Sequence, residues 1–203
     1  MEEMIKEKIA ESYKWIMWGV LITAAHITIG RFQIIPSFIG HFLILYGIYK
    51  LYKDVKIEYY EAPFKAAKIL AIVSVVYWLW GAFMVPYTDL LTSCFEILVF
   101  ILELSLFGDL LNKSVKLLKE NDKVKQADKM RNNRMTFIKF YIAVIAVFAV
   151  TLVPALNILR IYAAPTLMLG VKIFLSLLIQ NVARSNVVLK SGENTKNLDN
   201  NCK

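Results

Sequence analysis

The sequence predicts an all-α integral membrane protein, a bundle of six transmembrane helices with both termini on the cytoplasmic side. The first support is composition: of 203 residues, 58% are hydrophobic and 13% are aromatic, and the mean hydropathy is +0.52. A water-soluble domain of this length has too little interior to bury so much apolar surface. The second support is the presence of six apolar stretches of about 20 residues, because at 1.5 Å per residue each crosses a hydrocarbon core of roughly 30 Å.

The six predicted spans leave little of the chain outside the bilayer. They lie at about 15–33, 35–52, 66–86, 88–108, 137–159 and 164–184. Residues 1–184 are therefore expected to form one membrane domain. Residues 185–203 have the polar composition of a disordered cytoplasmic tail.

The orientation follows from the 24 Lys and Arg residues. Twenty of them lie in or beside the N-terminal segment, the second and fourth connections and the tail, whereas the other three connections hold only Arg31 and Arg160. Positive charge concentrates on the cytoplasmic side of membrane proteins, so both termini are placed inside a cell membrane. The net charge of +8 is expected to attract anionic lipid headgroups. Nucleic acid is not an expected partner, because no basic segment is interleaved with stacking aromatic residues.

The connection between spans four and five, residues 109–136, contains no proline or glycine and carries an apolar stripe with lysines between. Span four is therefore predicted to continue into the cytoplasm as a charged amphipathic helix. This connector either lies at the lipid surface or docks a partner protein.

Prolines near the starts of the second, fourth and sixth spans indicate a repeated hairpin. Pro36, Pro86 and Pro165 are each expected in the first turn of a returning helix, where proline loses no needed N–H. Arg31 and Arg160 precede the first and third of these prolines at the same spacing. The pattern suggests three helical hairpins side by side, and an inverted three-plus-three repeat of the transporter kind is the alternative.

Polar side chains within the spans are the candidate functional residues, because each is costly in lipid and tends to face a partner or water. Six of them, one from each span, fall roughly 9–13 Å below the predicted outer surface. They are His26, His41, Tyr77, Glu96, Thr151 and Lys172. We interpret this layer as a candidate site for a substrate or proton, with Glu96 facing Lys172 and with His26 close to His41.

Span four also carries an acidic line, three carboxylates at seven-residue intervals on one helix face. They are Asp89, Glu96 and Glu103. Such a line is suited to relaying protons or cations. The structural alternative is that Glu96 pairs with Lys172, and Glu103 with Lys139 or Lys68, only to hold the bundle together.

Three classes of function remain open. The first is a proton- or cation-coupled transporter of a small solute, with its site in the outer half of the bundle. The second is a non-catalytic regulator, immunity factor or assembly subunit that acts through its basic cytoplasmic face. The third is an intramembrane metalloenzyme using His26, His41 and Glu96, which is disfavoured because Lys172 would repel a metal cation. The sequence otherwise indicates no enzyme, cofactor or metal site, and Cys94 and Cys202 lack metal-ligand spacing.

Overall fold

The structure, a computed structural model, describes residues 2–25, 28–29, 32–33, 36–83, 89–150 and 157–187. Six α-helices make up most of these residues. They are α1 (Glu2–Ala24), α2 (Ser37–Tyr49), α3 (Glu61–Phe83), α4 (Asp89–Glu120), α5 (Val124–Val150) and α6 (Asn157–Val187). The short elements are the strands β1 (Thr28–Ile29) and β2 (Phe32–Gln33), a π-helical turn (Lys50–Asp54) and a 3-10 turn (Glu58–Tyr60).

The helical fold class agrees with the prediction, and three stretches are long and apolar enough to cross a membrane. Among the described residues these are Glu58–Trp80, Val124–Val150 and Pro165–Ser185.

The helix expected through the first span, 15–33, ends earlier than predicted. The helix starts at Glu2 and stops at Ala24, and β1 and β2 then pair antiparallel through Thr28 with Gln33 and Ile29 with Phe32. The β-branched pair Thr28 and Ile29 stands just before a glycine, a sequence that favours a strand and a turn over a continuing helix.

The predicted helical continuation of span four is present, since α4 runs without interruption to Glu120. The connector 109–136 is a hairpin of two helices, because a turn at 121–123 separates α4 from α5. Asp122 occupies the left-handed region of backbone space at φ 56°, a conformation that aspartate tolerates better than most residues. Most of the predicted apolar stripe is buried, including Leu110, Leu111 and Leu117.

The prolines divide into different cases. Pro36 directly precedes α2, as predicted. Pro165 lies inside α6, so its predicted place in the first turn is wrong, because the helix begins earlier, at Asn157. Pro86 lies outside the described residues.

The helices pack as a closed ring. Each helix contacts the next along the chain, and α6 returns to contact α1. The tightest approach is between α1 and α2, where a Cβ atom on Gly40 would lie 2.5 Å from the backbone oxygen of Gly19. A Cβ on Gly47 would likewise meet the backbone oxygen of Ser12 at 2.6 Å. Glycine at these positions lets the two backbones touch.

Three buried hydroxyl groups join the elements at one end of the ring. The Tyr13 hydroxyl lies 2.5 Å from that of Tyr60 and 2.7 Å from Ser114 Oγ, and all three side chains are buried. At the same end Lys50 forms an ion pair with Glu11 at 2.7 Å. The start of α1, the end of α2, the start of α3 and the final part of α4 therefore meet here. We call this the basic end, because these segments and the turns at 50–60 carry 11 of the 19 lysines in the chain.

Candidate functional site: a charged cavity inside the ring

A cavity of about 220 Å³ lies within the ring, away from the basic end. All six helices contribute to its wall. The polar and charged lining residues are Thr23, Ser37, His41, Ser74, Tyr77, Glu96, Glu103 and Lys172. The apolar lining residues are Ala24, Val99, Phe100, Val144, Phe148, Pro165, Met168 and Leu169. The cavity thus combines a few charged groups with an apolar wall, as small-molecule sites commonly do.

Glu103 is the centre of the charged part of this wall. Its Oε1 accepts hydrogen bonds from His41 Nε2 at 2.9 Å and from Lys172 Nζ at 3.0 Å, and its Oε2 accepts one from the Tyr141 hydroxyl. These bonds join four helices: α2, α4, α5 and α6. All four side chains are buried. A carboxylate so enclosed is stable only when donors and a counter-charge surround it, and Lys172 supplies that charge.

The hydrogen bond to Glu103 locates one proton of the His41 imidazole ring. A carboxylate only accepts hydrogen bonds, so the proton of the bond between His41 and Glu103 is on His41 Nε2. Among the described residues, His41 Nδ1 is buried and has no hydrogen-bond partner. This unpaired ring nitrogen belongs to a side chain that lines the cavity.

Glu96 forms a second polar contact in the same wall. It accepts a hydrogen bond from the Tyr77 hydroxyl at 3.2 Å. Glu96 and Glu103 are seven residues apart on α4, which separates them by about 10 Å along the helix axis while keeping them on one face. The predicted alignment of these two carboxylates is therefore present in the structure, and both line the cavity. The side chain of Asp89, the third member of the acidic line, lies outside the described part of the chain.

The structure brings together four residues of the predicted polar layer: His41, Tyr77, Glu96 and Lys172. His26 and Thr151 lie outside the described residues. The prediction that Glu96 forms an ion pair with Lys172 is wrong, because Lys172 pairs with Glu103. Glu96 and Glu103 are seven residues, or about two turns, apart on α4. An error of that size in a predicted span boundary changes which carboxylate is expected to meet Lys172.

The alternative partners predicted for Glu103 are also wrong. Lys139 and Lys68 are both exposed, and the ammonium of Lys68 lies 4.5 Å from the centre of the Phe64 ring. Because their side chains lie on the exposed surface, neither lysine is placed to pair with the buried Glu103.

Sequence reasoning missed two features of the site. It did not select Tyr141, which is fully buried and bonded to Glu103. It also left Glu103 out of the polar layer. Of these two residues, Tyr141 is the easier to identify from the sequence, because a hydroxyl group within an apolar helix needs a polar partner.

The described residues contain no group of three His, Cys, Asp or Glu side chains arranged to hold a metal ion. Two of the three residues considered for such a site, His41 and Glu96, line the cavity, but the nearest carboxylate to His41 is that of Glu103 and is already paired with Lys172. The cluster is a buried ion pair with two further hydrogen-bond donors to its carboxylate.

Comparison with known proteins gives no relative: no family model, no curated protein and no solved structure matches the chain.

Proposed function

We propose that the chain is a six-span protein of the cell membrane, with the basic end and both termini in the cytoplasm. The outward faces of its helices support this. Large apolar side chains are exposed on each of α2 to α6, including Phe42, Ile72, Ile101, Phe140 and Leu177. A ring with a charged interior and an apolar exterior is the reverse of a water-soluble bundle and fits a hydrocarbon surround.

We further propose that the protein is a proton- or cation-coupled transporter of a small solute, and that the cavity is its binding site. One observation carries this proposal: titratable side chains from several helices converge on a cavity inside a membrane-type bundle. In such a bundle ionisable groups usually mark a substrate or ion pathway. The contacts between these groups cross helix boundaries, so a change in their charge would alter how the helices pack.

Coupling requires a group whose charge changes during the cycle. A permanently ionised pair between Glu103 and Lys172 gives a proton gradient nothing to act on, whereas protonation of His41 or of a cavity carboxylate changes the net charge of the site. His41 is the best placed, because it contacts Glu103 with one nitrogen and has the other free. Glu96 is the second candidate proton carrier in this wall.

A flux experiment tests the transport proposal. The protein is reconstituted in liposomes that contain a pH-sensitive dye, the outside is acidified, and amino acids, lactate, small amines and sugars are added one at a time. We expect one class of solute to accelerate acidification of the lumen in wild-type vesicles beyond the rate in protein-free vesicles. The variant with both Glu103→Gln and Lys172→Met, which keeps the buried charges balanced, should lose that acceleration.

Equal rates in wild-type, variant and protein-free vesicles for every solute would contradict transport. They would favour the second candidate, a regulator acting through the basic end. That candidate has its own support, since exposed basic residues cluster on the α4–α5 hairpin. They are Lys116, Lys119, Lys125, Lys129 and Arg131. Its distinguishing measurement is binding of the protein to vesicles with and without anionic lipid.

A further inference from the structure

The free nitrogen of His41 is the starting point for a more specific assignment of the cavity. His41 is 2% exposed, and Nδ1 is one of two buried side-chain nitrogen or oxygen atoms without a hydrogen-bond partner among the described residues. An unpaired buried polar atom costs free energy, and such atoms often belong to sites that bind a ligand or a proton. Since His41 lines the cavity, a proton on Nδ1 would place a positive charge in the cavity wall.

The charges around His41 determine what this ligand is. Glu103 on α4 and Lys172 on α6 cancel each other, and Tyr141 on α5 is neutral. With His41 uncharged, the group of four has no net charge. A proton taken up from solvent onto Nδ1 gives the group a charge of +1 beside the cavity. The Lys172 ammonium has three N–H groups, of which Glu103 Oε1 accepts one.

The remaining charged group in the wall is Glu96, bonded to Tyr77 on α3. It is about 10 Å along α4 from Glu103, so an anion beside His41 and Lys172 lies closer to the cationic groups than to this carboxylate. The apolar wall comes from Val99, Phe100, Val144 and Phe148. These side chains offer a place for a short hydrocarbon chain and none for a second charge.

We propose that the cavity binds a small aliphatic monocarboxylate together with one proton, the proton on His41 Nδ1 and the carboxylate beside the Lys172 ammonium. This assignment rests on the proposed function, since it names the substrate class of that transport site. Binding of the anion and of the proton is mutually dependent. The protonated imidazole attracts the carboxylate, and the bound carboxylate stabilises the protonated imidazole.

Calorimetry on the purified full-length protein in detergent tests the assignment without requiring transport. The probe is propionate, compared with propionamide, which has the same shape without charge, and with propylamine, which is cationic. We expect propionate alone to bind. Titrations in two buffers of different ionisation enthalpy should show uptake of one proton per propionate near pH 7. The affinity should fall with rising pH, by up to tenfold for each pH unit, the mass-action limit for one proton.

His41→Gln is the matched variant, because a glutamine amide reaches the position of Nε2 and keeps a donor to Glu103 but has no group that titrates at neutral pH. We expect it to keep the wild-type melting temperature within a few degrees and to bind propionate at least tenfold more weakly, without proton uptake. Should this variant fail to fold, the two-buffer titration of the wild-type protein still decides the question.

Two results would overturn the assignment: wild-type protein that binds no propionate between pH 5.5 and 7.5, or propionate binding without proton uptake. If the flux experiment then finds coupled transport of an amine or a sugar, the transport proposal stands and only the substrate class is wrong. If propionate binds with its proton but no solute is transported, the site is confirmed and the transport proposal fails.

Discussion

At the scale of single residues, the structure depends on one carboxylate with three donors. Glu103 is 1% exposed, and its donors come from three helices other than its own. Burying an ion pair gains little over an apolar pair of the same volume, but removing one partner leaves the other charge in a low-dielectric interior. The cluster is therefore sensitive to single changes and tolerant of paired ones.

Glu103→Gln should lower the free energy of unfolding by roughly 3–5 kcal/mol, since it leaves the Lys172 ammonium buried without a counter-charge. Combining it with Lys172→Met should restore most of the loss. Thermal denaturation of the purified variants measures both effects. Glu61→Gln, which removes one partner of an exposed i,i+4 pair with Lys65, is the control and should leave the melting temperature nearly unchanged. A double variant as unstable as the single one would contradict this account.

Lys123, in the turn between α4 and α5, predicts a pH effect. Burial lowers the pKa of its ammonium, and the nearby charge of Lys6 lowers that pKa further. A lysine whose pKa is lower in the folded state favours unfolding while it is charged in both states. This penalty is complete below the folded pKa and disappears as the pH rises to the ordinary value of 10.5.

Lys123→Met should therefore raise the melting temperature at pH 7, and the gain should shrink as the pH approaches 10.5. Lys125→Met, two residues along and exposed, is the matched control and should shift the melting temperature little at either pH. A gain from Lys123→Met that is the same at both pH values would show that the effect is packing and not charge.

At the scale of elements, the contact between α1 and α2 depends on glycine. A Cβ on Gly40 would lie 2.5 Å both from the Gly19 oxygen and from Thr23 Cγ2. The first of these atoms belongs to the backbone and cannot rotate away, so the two helices must separate. Since Thr23 and His41 line the cavity, this separation would also alter the site.

Gly40→Ala should cost about 1–3 kcal/mol, the usual range for overpacking a close contact. Gly170→Ala on α6 is the matched control, because a Cβ there meets nothing within 4 Å. It should be neutral or stabilise the protein by up to about 1 kcal/mol, since alanine favours a helix over glycine. Thermal denaturation of both variants in the same detergent measures the difference. Equal behaviour of the two would contradict the close packing of α1 on α2.

At the scale of the whole molecule, the ring has two unlike ends. Contacts of Tyr13, Tyr60 and Ser114 gather the start of α1, the start of α3 and the final part of α4 at the basic end, and the cavity lies towards the other end. The segments predicted from their charge to share one side of the membrane are thus adjacent in space. Their side of the membrane remains a prediction from the distribution of lysine and arginine.

Single-cysteine labelling tests that orientation in a background where Cys94 and Cys202 are replaced by alanine. A cysteine at the exposed position Lys125 should react with a membrane-impermeant maleimide only in inverted vesicles. A cysteine at Arg31, in the first predicted outer connection, should react in intact cells. Labelling of the Lys125→Cys variant in intact cells would reverse the orientation or remove the six-span topology.

Local properties of the chain were sufficient to predict a helical protein and to select candidate residues. Apolar length and charge distribution are local properties of the chain, and they act through the water-to-lipid transfer energy of each segment separately. For this reason the helical class, the continuation of α4 and the importance of buried polar residues such as His41 and Lys172 could be read in advance.

Which of these residues contact each other depends on the tertiary packing of the helices. The partner of Lys172 depends on the rotation of α4 and α6 about their axes, and a shift of seven residues along α4 moves a carboxylate about 10 Å while keeping it on the same face. Periodicity therefore cannot distinguish Glu96 from Glu103. Closure of the ring brings Tyr141 onto Glu103. That contact is long-range, and no local pattern in the sequence specifies it.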